Sequence, residues 1–274
     1  MPAHNCSVGQ RRIGWAYGQV VDRLDVEGAT VFESVYNRPM QVPCHEHAYA
    51  YITILLKGRY REPYGRGDSY FVPFSAVFHP ASVRHSGIVD EQGCRFFTLE
   101  LDSSWMDSME IDVPSDSVFD WHGESILWPM LRLLREYRDG GTQSSLTMES
   151  LILEIVSAVR SKGQNAAVVP VDRWRVLLEK THDSFRESIR IRDLATAAGI
   201  HPVHVARLFR RYAGVTPGEY LQHLRVQQAC RLMQEPERSL GEIAAESGFA
   251  DQSHMNRVLR RFVQCSPGTL RALI

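Results

Sequence analysis

Residues 191–221 read IRDLATAAGIHPVHVARLFRRYAGVTPGEYL, and residues 240–271 read LGEIAAESGFADQSHMNRVLRRFVQCSPGTLR. The two stretches share one plan. Each has a short segment with apolar residues at helical spacing, a glycine, an apolar residue and a second helical segment ending in adjacent arginines. Each then closes on Ser/Thr-Pro-Gly. Helix, tight turn, helix is the arrangement that carries side chains into a DNA major groove. In the first copy Ile191, Leu194, Ala195 and Ala198 form an apolar face, and Gly199 stands where a left-handed C-cap is expected. Pro202 suits the first turn of the next helix, where its missing N–H costs nothing. Val205, Leu208, Phe209 and Tyr212 then recur as an inward set, which leaves Val203, Ala206, Arg207 and Arg210 on the opposite stripe. In the second copy Ser239 and Glu242 form a capping box, Ile243 and Ala244 continue the apolar face, and Gly248 stops the helix. Asp251 caps the following helix, with Met255, Val258, Leu259 and Phe262 turned inward. Its outward set is Gln252, Ser253, Asn256, Arg257 and Arg260. Arginines beside small or amide side chains are the chemistry that reads base edges and phosphates.

One such copy alone is equally an ordinary helical hairpin with a solvated basic face. Two copies, bridged by a helix predicted over Pro217–Gln234, are harder to explain that way. A solenoid needs three or more repeats for stability, so the pair is not one. Four stretches carry a family resemblance: VARLFRRYAGVTPGEYL, LRVQQACRLM, IAAESGFADQSH and RVLRRFVQCSPGTLR. Through them, residues Leu194 to Arg271 resemble the DNA-binding domain of the AraC/XylS transcription regulators. The chain departs from that pattern at His201, where Ser is common as an N-cap, at Met255 and Leu259, where Phe is usual, and at Cys265, where Gly is typical. The two apolar exchanges keep the core hydrophobic. His201 and Cys265 bear on local cap geometry.

A chain of 274 residues, 44% hydrophobic and 23% charged, has the composition of a soluble globular protein with room for two domains. Its first residues lack an apolar leader and no run approaches a membrane span, which points to the cytoplasm. Cys6, Cys44, Cys94, Cys230 and Cys265 are scattered without a C-x-x-C pair, as expected of free thiols in a reducing compartment. The net charge of −1 hides an asymmetry. From Asp172 onward sixteen Lys and Arg stand against eleven Asp and Glu, a net +5, whereas residues 1–171 carry −6. Only the C-terminal part is suited to approach phosphate.

Residues 25–102 read as strands. Val31–Tyr36, Tyr49–Leu56 and Arg95–Leu101 are β-branched or aromatic runs, separated by breakers at Arg38-Pro39, Lys57-Gly58, Tyr64 to Gly67 and His79-Pro80. Short strands at this spacing imply a small antiparallel barrel or jelly roll. Two pieces resemble the cupin barrel: His45-x-His47 followed by Tyr51 and Gly58, and Pro80-x-Ser82 followed by His85. In metal-binding cupins the position of Tyr51 is a Glu ligand and that of Ser82 a Gly. His45 and His47, two apart on a strand, share a face, and His85 meets them from a neighbouring strand. Three imidazoles suffice for a divalent metal with an open position. The competing reading is a polar effector pocket lined by His45, His47, Tyr51 and His85, with His79 a weaker member.

Helical patterns follow over Ser125–Arg138 and Leu146–Ser161. The second places Met148, Leu151, Ile152, Ile155, Val156 and Val159 on one stripe, which serves either a dimer contact, as in the resembled family, or packing on its own barrel. Lys162 to Pro170 reads as a linker, and Val171–Phe185 as the first helix of the C-terminal domain, with Trp174, Leu177, Leu178 and Thr181 inward. The expected fold is α+β in two domains: a cupin-like barrel with a helical appendix over 1–161, and an all-α tandem helix-turn-helix domain over 171–274. The expected function is sequence-specific regulation of transcription. Its partners would be promoter DNA, a small-molecule effector, RNA polymerase if the protein is an activator, and a second copy of the chain. No catalytic residue is assigned. The alternatives are a metal-dependent cupin enzyme with an accessory nucleic-acid module, and a regulator controlled by a protein partner.

Overall fold

The computed structural model describes residues 10–11, 16–64, 67–113, 119–121, 126–139, 145–165 and 171–274. Backbone contacts divide the chain into two units. One comprises Met1–Trp121 with Leu133–Val159, the other His122–Arg132 with Arg160–Ile274.

The first unit holds β1 (Gln10–Arg11), β2 (Gln19–Val26), β3 (Ala29–Tyr36), β4 (Met40–His47), β5 (Ala50–Tyr64), β6 (Gly67–Phe71), β7 (Ala76–His79), β8 (His85–Leu101), α1 (Ser103–Ser108) and β9 (Phe119–Trp121). They form a nine-stranded sheet, antiparallel except for the β1–β4 pair. The long β8 is its centre: Leu99 lies opposite both Val31 of β3 and Ile52 of β5, and His85 opposite His45 of β4. Alternate residues face two different interiors. Phe32, Ser34 and Tyr36, then Tyr51, Thr53 and Leu55, then Phe96, Thr98 and Glu100 line one shared cavity. Val31, Ile52, Ile54, Phe97 and Leu99 point the other way and are fully buried as well. With both faces covered, these strands read as near-continuous apolar runs.

The second face is closed by helix. In α2 (Leu127–Arg138) the Tyr137 ring lies 5.4 Å from Phe97. Arg138 and Arg95 hold the buried Glu33 carboxylate at 2.7 and 2.5 Å, which pairs a charge that would be costly alone. In α3 (Ser145–Asn165) the stripe Met148, Leu151, Ile152, Ile155, Val156 and Val159 is buried within the single chain, so packing inside the protomer accounts for it. The helix continues past Ser161, so residues 162–165 of the expected linker are helical; 166–170 lie outside the described residues.

The Lys57-Gly58 breaker lies inside β5, which continues through register shifts between Leu55 and Lys57 and between Gly58 and Tyr60. Gly58 has φ +87°, and a Cβ there would stand 2.0 Å from the Gly93 carbonyl oxygen, so only glycine lets this bulge close. The thiol expectation is corrected too: Cys44 is disulfide-bonded, whereas Cys94, Cys230 and Cys265 are free.

The second unit is helical: α4 (Val171–Ser184), α5 (Ile191–Ala198), α6 (Pro202–Tyr212), α7 (Pro217–Met233), α8 (Leu240–Glu246), α9 (Gln252–Val263) and α10 (Pro267–Leu273). Leu177, Leu194, Ala195, Val205, Phe209, Tyr220 and Leu224 form the core of its first helix pair. The Phe209 ring sits 5.1 Å from Trp174 and 5.3 Å from Tyr220. Ile191, expected in this face, is the first residue of α5 and stays 45% exposed. Capping boxes open α7 at Thr216/Glu219 and α8 at Ser239/Glu242, each satisfying otherwise orphaned N–H groups. His201 does cap α6, its Nδ1 accepting from the Val203 amide at a long 3.4 Å. Residues 122–132, expected with the N-terminal domain, group with this unit: Trp128 packs 5.4 Å from His223 and 5.3 Å from Phe262.

Candidate DNA interface and interior pocket

The second helices of the two pairs are α6 and α9. Their inward residues Val205, Phe209, Met255 and Leu259 are fully buried. This fixes which face each helix leaves to solvent. On α6 the opposite stripe carries Val203, 59% exposed, with Arg207 and Arg210 exposed and Ala206 half-buried. On α9 Gln252, Ser253, Arg257 and Arg260 are exposed and Asn256 is half-buried. The doubled arginines divide their work. Arg261 pairs with Glu219 at 3.4 Å, and the Arg211 guanidinium lies 5.4 Å from the Tyr212 ring centre. Among the described residues Arg207, Arg210, Arg257 and Arg260 enter no ion pair, so their guanidiniums are free to meet an anion. The exposed Val203, one turn before Arg207, suits a thymine methyl group.

The cavity of the first unit has a volume of about 80 Å³ and two unlike ends. One end is the apolar cluster of Val42, Leu55, Phe71, Val77 and Phe96, edged by Tyr17, Tyr36 and Tyr60. The other end collects His45, His47, Tyr51 and His85, as expected, together with His79. It also holds two carboxylates that sequence reasoning missed, Glu62 and Glu100, both almost fully buried. The Thr98/Glu100 alternation on β8 was a usable signal for the second. Nothing local marked Glu62, because the bulges of β5 reset which residues face inward.

Hydrogen bonds fix the tautomers here. His45 Nδ1 donates to the Pro43 carbonyl at 2.8 Å and His85 Nδ1 to the Val83 carbonyl at 3.2 Å, so both Nε2 atoms are bare acceptors. The Tyr51 hydroxyl donates to His85 Nε2 at 3.0 Å. Burial, and then the neighbouring histidines, hold the His85 imidazole well below its usual pKa. Burial likewise pushes the Tyr51 phenol up, so it remains a donor. His47 Nε2 lies 3.1 Å from His45 Nε2, and His47 Nδ1 lies 3.6 Å from Glu100. Nearby, His79 Nε2 lies 3.4 Å from Glu62, while His79 Nδ1 and Glu62 Oε1 are buried without a hydrogen-bond partner. Among the described residues no Lys or Arg lines the cavity.

The fold is thus a sheet unit enclosing a pocket and a helical unit with two helix-turn-helix pairs. Residues 194–272 match the family model described as a helix-turn-helix domain. The probable transcription factor PqrA of Proteus vulgaris is 31% identical over 85 residues, which span 70% of that protein and 31% of this chain. The uncharacterized HTH-type transcriptional regulator YbfI of Bacillus subtilis is 31% identical over 86 residues, 31% of each protein. The HTH-type transcriptional activator RhaS of Escherichia coli is 29% identical over 126 residues, 46% of this chain and 44% of RhaS. The chain thus spans less than half the length of YbfI and RhaS. Among solved structures, ToxT of Vibrio cholerae aligns over 90% of this chain and 98% of its own, at 13% identity and a TM-score of 0.39. The chain belongs to the AraC/XylS family of helix-turn-helix transcription regulators.

Proposed function

We propose that the chain regulates transcription by binding specific promoter sequences through α6 and α9, and that the pocketed sheet unit senses a small effector. The observation that carries this reading is the pair of exposed stripes opposite the helical cores, with Arg207, Arg210, Arg257 and Arg260 engaged by no carboxylate among the described residues. Its partners in that role are double-stranded promoter DNA, the effector, RNA polymerase if the protein activates, and a second copy of the chain if half-sites are paired. No helix among the described residues is long and apolar enough to cross a membrane. Selection from a random duplex pool by the full chain is the test. A discrete motif should emerge, and its affinity should fall steeply with salt, with a slope of about −0.9 per phosphate contact. Binding with no sequence preference would reject the proposal.

A divalent ion held by His45, His47 and His85 is a second reading of the pocket. It is favoured by the 3.1 Å separation of two Nε2 atoms, close to the ~3.3 Å expected across a tetrahedral zinc site. Backbone carbonyls already hold the far nitrogens of His45 and His85, the support that ligating imidazoles require. Elemental analysis of chain purified without chelator should then show near-stoichiometric Zn, Fe, Ni or Cu, lost in His47→Ala. A metal-free preparation that remains so after incubation with these ions rejects it.

A further inference from the structure

Resting on the regulator reading, we propose that Arg190 and Arg192 form a one-sided phosphate anchor: they grip the DNA backbone beside the half-site of α6, and the second helix pair has no counterpart. The two pairs align through their first helices. Leu194 and Ala195 of α5 correspond to Ile243 and Ala244 of α8, and all of these are buried. Arg190 then corresponds to Ser239, each the N-cap of its helix, and Arg192 to Gly241. In such a pair the second helix enters the groove while the first crosses the phosphate backbone. Side chains at the opening turn of that first helix are placed to meet phosphate oxygens. The first pair carries guanidiniums there. The second has a glycine and a hydroxyl already spent on its capping box.

Both arginines are exposed, and among the described residues neither enters an ion pair. The acids beside them in sequence are placed otherwise. The Asp193 carboxylate accepts from the Arg190 amide at 2.8 Å and so caps α5, and the exposed Glu187 belongs to the preceding segment. That segment is held from three sides. Phe185 and Ile189 pack on the core of the first pair. Arg225 of α7 donates to the Phe185 carbonyl at 2.7 Å and to the Glu187 carbonyl at 2.8 Å. The Arg186 backbone seats against Gly248 of the second pair, where an added Cβ would stand 2.7 Å from the Arg186 Cα. The start of α5 is therefore fixed, and little backbone freedom remains to be lost when its arginines engage phosphate.

The test measures the full chain on its selected duplex over a range of salt. Arg190→Gln and Arg192→Gln should each flatten the dependence of log affinity on log salt by about one unit, and the double variant by about two. The selected motif should stay the same, because neither side chain reads a base. Thermal unfolding of the double variant should also be unchanged, since the cap of α5 is made on a backbone amide. Methylphosphonate linkages, which remove the phosphate charge, locate the contact. Beside the half-site whose preference Arg207→Ala relaxes, they should weaken wild type more than the double variant. At the other half-site they should weaken both alike. Gly241→Arg is the converse. A Cβ there lies 3.9 Å from the Ser239 hydroxyl, an ordinary contact, and the new guanidinium should steepen the slope by about one unit. An unchanged slope in the double variant or in Gly241→Arg, a changed motif, or linkages that weaken wild type and double variant alike at both half-sites overturns the anchor. A discrete motif with unaltered slopes rejects only the anchor, whereas binding without a motif rejects the regulator reading itself.

Discussion

Gly248→Ala is expected to destabilise the C-terminal helical unit by about 3 kcal/mol or more, and Gly199→Ala by only about 1 kcal/mol. The two glycines hold equivalent places, each just after the first helix of its pair, and both have positive φ, +81° and +61°. An alanine at either meets the left-handed backbone penalty. Beyond that they differ. Gly199 has open space where a Cβ would stand, whereas a Cβ at Gly248 would lie 2.7 Å from both the Cα and the carbonyl oxygen of Arg186. Those are backbone atoms in the segment after α4, and they cannot swing aside as a side chain can. Hydrogen exchange of α8 and α9 peptides, followed by mass spectrometry, should show lost protection in Gly248→Ala and near-native protection in Gly199→Ala. Equal loss in both would mean that the approach of the Arg186 backbone does not constrain the second pair.

Arg207→Ala should weaken the best selected DNA site by roughly 5- to 150-fold, about 1–3 kcal/mol, and relax preference at one or two base pairs. Arg207 lies in the middle of the exposed stripe of α6, one turn after the exposed Val203. Arg210 lies nearer the end of α6, beside Arg211. Its replacement by alanine should weaken all sequences alike and flatten the salt dependence by about one unit. Arg257→Ala should be milder than Arg207→Ala. Its stripe carries the half-buried Asn256 and follows Asp251, whose carboxylate caps α9 at the His254 amide. Competition among random duplexes at two salt concentrations separates these outcomes. An unchanged motif and affinity in both Arg207→Ala and Arg210→Ala would show that this stripe does not face DNA.

The helical unit was legible residue by residue because its signals are local. Glycines, capping boxes and apolar spacing act within a turn or two, and Ser239/Glu242 and Gly199 take the roles their spacing implies. Ile191 fell outside the core because periodicity marks a face without saying where the helix begins. In the sheet, His45 and His47 were legible as a pair two residues apart, and the register then brought His85 opposite His45. Glu62 was not. Between Tyr51 and Glu62 the strand slips twice against β8, and across those slips the cavity-lining positions pass from odd (Tyr51, Thr53, Leu55) to even (Tyr60, Glu62).

The central position of β8 also sets an order of assembly. Val31 and Ile52 both lie opposite Leu99, so β3 and β5 lack their shared neighbour until the end of β8 has been synthesised. A growing chain must therefore carry much of its sheet sequence unpaired, with apolar residues such as Phe32, Ile52 and Ile54 open to other chains. The helix pairs that follow join residues close in sequence and can form as they emerge. Slow synthesis or scarce chaperone should thus send the sheet unit into aggregates while leaving the helical unit competent.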